Sequence, residues 1–114
     1  MNESVTDEAK RILKEVGLTE YESRIYLSLL EIGVATASRV SEHANVPYSK
    51  IYDVLGSLEK KGWIESKSGR PSRYYPKPPL EALEAVKLRF EGTIKDCEQQ
   101  VLSELQPIYE KKEV

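Results

Sequence analysis

The chain is poor in the side chains from which most active sites are built. It holds one cysteine, Cys97, and one histidine, His43. A lone cysteine excludes an intramolecular disulfide, and one of each leaves the usual zinc arrangements short of ligands. No apolar run approaches the roughly 20 residues that span a bilayer. The first residues, with Glu3, Asp7 and Glu8, lack the character of a secretory leader. There is no glycine-rich phosphate loop and no nucleophile set beside a base, so no enzyme is expected, and no cofactor or metal. The expected setting is the cytoplasm. Hydrophobic residues make up 39% of the 114, against 32% charged, which fits helices with wide solvated faces and a small core. A domain this small is marginal alone, and a second copy of the chain is the simplest source of further buried surface.

The charge is present but unevenly placed. The net value is −2, yet residues 1–35 carry four basic and seven acidic side chains, a net of −3. Residues 36–77 carry eight and four, net +4, and residues 78–114 carry five and eight, net −3. A bland total hides a basic middle.

Apolar periodicity supplies the elements. Val5, Ala9, Ile12, Leu13 and Val16 recur at helical spacing and stop at Gly17, predicting a helix over 4–16. Thr19 and Glu22 form a capping box that opens a second helix, whose buried face is Ile25, Tyr26, Leu29 and Leu30 and whose end is Gly33. Thr36 is the N-cap of a third helix running to Ala44. Asn45 then suits the left-handed turn between two closely crossing helices, Val46 plugs their angle, and Pro47 starts a fourth helix. Ile51, Val54, Leu55 and Leu58 are its core stripe, and Lys60, Lys61 and Gly62 end it. Residues 63–67 and 73–76 read as two strands around a projecting Ser, Gly, Arg and Pro loop, with Trp63, Ile64 and Tyr75 packing on the helices.

Pro78 and Pro79 separate this unit from a last helix over 80–106, roughly 40 Å long at 1.5 Å per residue. Its apolar residues Leu83, Val86, Phe90, Ile94, Cys97, Val101, Leu105 and Ile108 step by 3, 4, 4, 3, 4, 4 and 3, an 11-residue repeat that keeps the seam nearly straight. Pro107 is expected to kink or end it. The reading is mainly α (α+β): a winged helix-turn-helix over 1–78 and, over 79–114, a long C-terminal dimerisation helix. Phe90, Ile94, Cys97, Val101, Leu105 and Ile108 form the homodimer seam.

A helix-turn-helix with a basic ribbon behind it is shaped for duplex DNA. Candidate contacts are Tyr48, Ser49, Lys50 and Tyr52 on the leading turns of the second helix of the pair. Lys67, Arg70, Arg73 and Tyr74 join them from the wing, and Thr36 and Ser38 from a positive helix end. Either tyrosine of the helix can instead pack on its own domain. Asp53 reads a cytosine or pairs with a nearby base. Of Arg39, Lys60 and Lys61, one is expected on a phosphate and the others as plain surface charge. His43 is expected as an exposed helix histidine, and Cys97 as a small hydrophobe on the seam. The other function classes to weigh are a protein-interaction adaptor and a sequence-indifferent chromatin component.

Gly17-Leu18-Thr19-Glu20-Tyr21-Glu22, Tyr26-Leu27 and Ala35-Thr36-Ala37 form a first set of motifs. Val46-Pro47-Tyr48-Ser49-Lys50-Ile51-Tyr52-Asp53-Val54-Leu55 and Ser57-Leu58-Glu59-Lys60-Lys61-Gly62 form a second, and Gly69-Arg70-Pro71, Arg73-Tyr74 and Pro78-Pro79 a third. In these stretches the chain resembles the TrmB family of transcriptional regulators, mostly archaeal. The resemblance implies a winged helix that binds promoter DNA. Longer members add a C-terminal sugar-sensing domain, which is not expected here after the long helix. Gly56 departs from the family, whose members carry larger, often basic residues there.

Overall fold

The computed structural model describes residues 3–113, with side chains from Thr6 to Lys112; the expectation for Val5 lies outside them. Helices α1 (Glu3–Glu15) and α2 (Glu20–Ile32) are joined at Gly17, whose φ of 106° only glycine adopts without strain. The Thr19 hydroxyl accepts the Glu22 N–H at 3.2 Å and the Glu22 carboxylate accepts the Thr19 N–H at 2.8 Å, completing the predicted box. On the far side, Gly33 closes α2 through its N–H to Leu29 O at 2.7 Å.

Two residues, Ala35–Thr36, then form a strand, β1, that the sequence reading did not contain. Helix α3 (Ala37–Ala44) follows, capped by the Thr36 hydroxyl on the Arg39 N–H. Asn45 takes the left-handed conformation, φ 55° and ψ 48°, and the Val46 N–H reaches Ser41 O at 3.0 Å. Val46 is buried in the angle and α4 (Tyr48–Lys61) begins directly after Pro47. Val40, Ile51, Leu55 and Leu58 meet Ile25 and Leu29 in a core closed to solvent. This is the helix-turn-helix expected from the spacing.

Strands β2 (Ile64–Lys67) and β3 (Arg73–Pro76) are antiparallel, and β1 adds on the other edge of β3, giving the order β1-β3-β2. The sheet is therefore three-stranded, not a two-stranded ribbon. Thr36 pairs with Arg73 and Ala35 with Tyr74. Trp63 precedes the strand and is buried edge-on against Tyr26, centroids 5.1 Å apart. The wing tyrosine expected on the core, Tyr75, is not the one found there. Tyr74 packs on the core, whereas Tyr75 donates its hydroxyl to the Glu65 carboxylate at 2.7 Å, because alternate strand residues face opposite sides.

Helix α5 (Pro79–Gln100) is rooted on this body by fully buried Ala82 and by Arg89, which donates to Lys61 O at 2.9 Å. The Tyr26 hydroxyl donates to Lys77 O at 2.8 Å, and burial pushes its pKa up to about 12. A π-helical turn, Val101–Leu105, leads into α6 (Gln106–Glu113). Of the two outcomes expected at Pro107, a kink or an end, the helix does not end there. Within the wider turn the Gln106 N–H bonds Val101 O, five residues back, which opens the ladder just before the proline ring. The molecule measures 61 × 35 × 28 Å.

Three smaller expectations also change. Ile12 and Leu30, assigned to buried faces, are exposed beside a groove between α1, α2 and the root of α5. Asp53 has no ion pair among the described residues. Lys61 is not a surface charge: its ammonium donates to Glu22 at 2.8 Å and to Gly17 O at 3.0 Å.

Candidate nucleic-acid interface

The first two turns of α4 project into solvent because the Pro47 start leaves only Ile51 on the core side. Tyr48, Ser49, Lys50 and Tyr52 are all exposed. The two tyrosines, 56% and 58% exposed, do not pack on their own domain. They meet each other instead, rings at 5.8 Å and 82°, hydroxyls 3.1 Å apart. That shared hydrogen bond, with the Tyr48 charge, raises the Tyr52 hydroxyl above its ordinary value. One hydroxyl of the pair donates and the other accepts, so the pair presents both functions beside two apolar ring edges.

The wing lies against the same helix. Ser66 of β2 donates to Glu59 of α4 at 2.7 Å, and half-buried Tyr74 feels burial and the Glu59 charge, both of which raise its pKa. Lys67, Arg70 and Arg73 are exposed and line one concavity of about 250 Å³ at the wing tip. The β1–β3 pairing sets Thr36, and with it the start of α3 and exposed Ser38, directly beside Arg73. The structure thus brings the helix end, α4 and the wing together through one sheet. Sequence reasoning missed this link because a two-residue strand has no periodicity to detect. It also missed Arg24, which donates to Asn45 O at 3.2 Å and braces the turn from a helix 21 residues away.

The electrostatics of the body are divided. Lys10, Arg11, Lys14 and Arg24 on α1 and α2 are ion-paired to Glu8, Glu15 or Glu20, and Lys61 and Lys77 to Glu22 and Glu65. Arg39, Lys50, Lys60, Lys67, Arg70 and Arg73 have no ion pair among the described residues. His43 sits half-exposed with Nε2 3.8 Å from Glu31. Within the winged body the cations without an ion pair lie on α3, α4 and the wing; on the stalk Lys87, Arg89, Lys95, Lys111 and Lys112 likewise have none among the described residues.

Beyond the body, Phe90, Ile94, Cys97, Val101, Leu105 and Ile108 are all exposed, as are Leu88, Leu102 and Tyr109. No helix among the described residues is long and apolar enough to cross a membrane.

A helix-turn-helix, a three-stranded wing and a protruding helical stalk define the winged-helix class. Within it, residues 13–80 match the model of the family described as the sugar-specific transcriptional regulator TrmB, and the chain belongs to that family. It is 39% identical over 92 residues to the HTH-type sugar sensing transcriptional regulator TrmBL1 of Pyrococcus furiosus, covering 81% of this chain and 26% of the relative. It is 36% identical over 93 residues to the DNA-binding HTH-type transcriptional repressor TrmBL2 of Thermococcus kodakarensis, covering 81% and 35%. A solved structure of TrmBL2, described as an archaeal chromatin protein with a novel mode of DNA binding, superposes with a TM-score of 0.73 at 30% identity. That match covers 93% of this chain and 45% of that one. The chain spans about a quarter to a third of the length of these curated relatives.

Proposed function

We propose that this protein is a DNA-binding transcriptional regulator of the cytoplasm that binds duplex DNA as a homodimer. The leading turns of α4 enter the major groove, and the wing lies on the adjacent backbone or minor groove. The observation that carries this reading is the partition of cations on the winged body: those of α1 and α2 are ion-paired within the chain, while Arg39, Lys50, Lys60, Lys67, Arg70 and Arg73 have no ion pair among the described residues. Lys50 and Ser49 supply donors for a guanine edge or a phosphate, and Tyr48 and Tyr52 supply apolar edges for a thymine methyl. Thr36, Ser38, Arg73, Arg70, Lys67 and Tyr74 hold the backbone and set the register. Homodimerisation runs through Phe90, Ile94, Cys97, Val101, Leu105 and Ile108, which otherwise leave a long apolar stripe in water. The relatives named above are regulators, not enzymes, which agrees with a binding role.

Fluorescence anisotropy with a labelled duplex tests the reading. With about five phosphates neutralised per protomer, log K falls with log salt at about −0.9 per phosphate. Reversing Lys50, Arg70 and Arg73 to Glu abolishes measurable binding at modest salt. Unchanged binding rejects the assignment. The description of TrmBL2 as a chromatin protein favours a second reading, sequence-indifferent coating of DNA. Competition between fragments selected from a random pool and bulk DNA separates the two.

A further inference from the structure

Much of the stalk's hold on the winged body comes from one short face of α5. Ala82, Ala85, Val86 and Arg89 stand three or four residues apart along it, so they share one side of the helix. Ala82 is fully buried and Val86 packs on the core. Ala85 meets the end of α4, where a Cβ added to Gly62 would come within 3.3 Å of its own Cβ. Arg89, the outermost of the four, is exposed, and its guanidinium donates to Lys61 O at 2.9 Å. Phe90, next in the chain, already belongs to the exposed stripe.

The Arg89 bond sits where a helix end needs one. Lys61 is the last residue of α4, so its carbonyl has no partner within the helix. The Glu59 and Leu58 carbonyls of the same turn are taken by the N–H groups of Gly62 and Trp63. Arg89 supplies a donor to the Lys61 carbonyl, and its positive charge stands at the negative end of the α4 dipole. Arg89 has no ion pair among the described residues to draw it away.

The base of the stalk is tied separately. Lys77 is held through both backbone groups, its N–H on Trp63 O at 2.9 Å and its C=O accepting from the Tyr26 hydroxyl at 2.8 Å. From Pro79 to Arg89 the helix rises about 15 Å. Ties at the base and farther out fix a direction, whereas ties at the base alone leave a pivot.

We infer that Arg89 is a positioning residue: its bond to Lys61 O locks the angle between stalk and recognition helix, and so sets the half-site separation that the homodimer reads. The inference rests on the homodimer and duplex readings above.

Geometry gives the angle its leverage. Ile51, Leu55 and Leu58 fix α4 in the core, so the helix and the body swing together. The 14 residues of α4 span about 20 Å from its root at Lys61 to its leading turns. A swing of about 10° about that root carries the leading turns about 3.4 Å, the rise of one base pair. Two protomers double the shift. The paired recognition helices of a dimer meet the groove at a set separation, so a loose angle spreads binding over several.

Arg89→Met keeps the length of the side chain and removes the donor. Spin labels at Glu42→Cys on α3 and Gln99→Cys on α5, in a Cys97→Ser chain diluted with unlabelled chain, read the body-to-stalk distance without DNA. The parent is expected to give a narrow distribution and Arg89→Met a broader or displaced one. Equal distributions overturn the inference.

Duplexes with two selected half-sites, their separation stepped by single base pairs, read the consequence by anisotropy. The parent is expected to favour one separation. Arg89→Met is expected to lose about fivefold there and to bind separations one or two base pairs away nearly as well. A variant profile as sharp as the parent's overturns the inference. A parent without a preferred separation does so too, leaving dimerisation and DNA binding standing.

Two controls exclude other routes. The Ile94→Lys, Val101→Lys chain, expected to be monomeric, should bind a single half-site equally with and without Arg89→Met. A loss there shows Arg89 touching DNA directly and overturns the positioning role. Sedimentation and the circular dichroism melt of Arg89→Met in the otherwise native chain are expected to match the parent. A fall to monomer shows Arg89 acting through assembly and rejects the inference as well. A parent that is monomeric, or that binds no duplex, rejects the underlying reading and the half-site role with it.

Discussion

Glu22 shows how one side chain joins the sequence motif to the tertiary fold. It is 2% exposed and serves the capping box of α2 while also accepting from Ser57 and Lys61 of α4. Burial alone would lift its carboxyl. The hydrogen bonds from Lys61, Ser57 and the Thr19 N–H, with the Lys61 charge, outweigh burial and hold it below the usual carboxylate range. A carboxyl depressed in the folded state stabilises above its unfolded value of about 4.3, and the contribution is lost as pH falls through the depressed folded value. Lys61→Met leaves a buried charge without its partner and is expected to cost on the order of 3 kcal/mol at neutral pH. Because protonation then relieves Glu22, the gap between parent and variant narrows toward pH 4. Urea melts at pH 7 and pH 4 measure this, and a gap independent of pH contradicts the account. The capping box itself was plain from Thr19 and Glu22. The role of Lys61 was not, since nothing in a run of lysines says which one turns inward.

At the scale of the element, α4 holds a test of glycine in two settings. Gly56 lies exposed inside the helix, and a Cβ built there meets nothing within 4 Å. Gly56→Ala is expected to stabilise by about 1 kcal/mol, the usual difference in helix propensity. Gly62 is the opposite case. It sits at φ 90°, and its Cβ would approach the Ala85 Cβ at 3.3 Å where α5 crosses the end of α4. Gly62→Ala is expected to lower the melting temperature and loosen α5 from the body. Equal melting temperatures for the two variants would contradict this. The stalk carries the same lesson. Its stripe was legible as a 3,4,4 repeat, and Pro107 was expected to kink or end it. A π-helical turn absorbs the proline, and a pattern of apolar residues does not record where a helix ladder widens.

At the scale of the whole molecule, the proposed homodimer couples DNA affinity to assembly. Each protomer offers one recognition surface, so joining two raises the effective concentration of the second for DNA. Ile94→Lys with Val101→Lys on the stalk places charge on the seam while leaving the winged body untouched. The double variant is expected to be monomeric by sedimentation, with its melt intact and its DNA affinity down by about two orders of magnitude. A monomer that binds DNA as tightly as the parent would show that the stalk serves something other than paired recognition.

Local order was written in the chain itself. The left-handed Asn45, the cap at Thr36, the core stripes of α2 and α4 and the excess of cations over 36–77 follow from propensity, periodicity and counting, which need no partner distant in sequence. The third strand, the packing of Tyr74 rather than Tyr75 on the core, the inward turn of Lys61 and the mutual pairing of Tyr48 with Tyr52 came only with tertiary structure. Each depends on which groups are left within reach once the helices have packed. Short strands and single polar side chains have no period, so only the assembled core decides what they face.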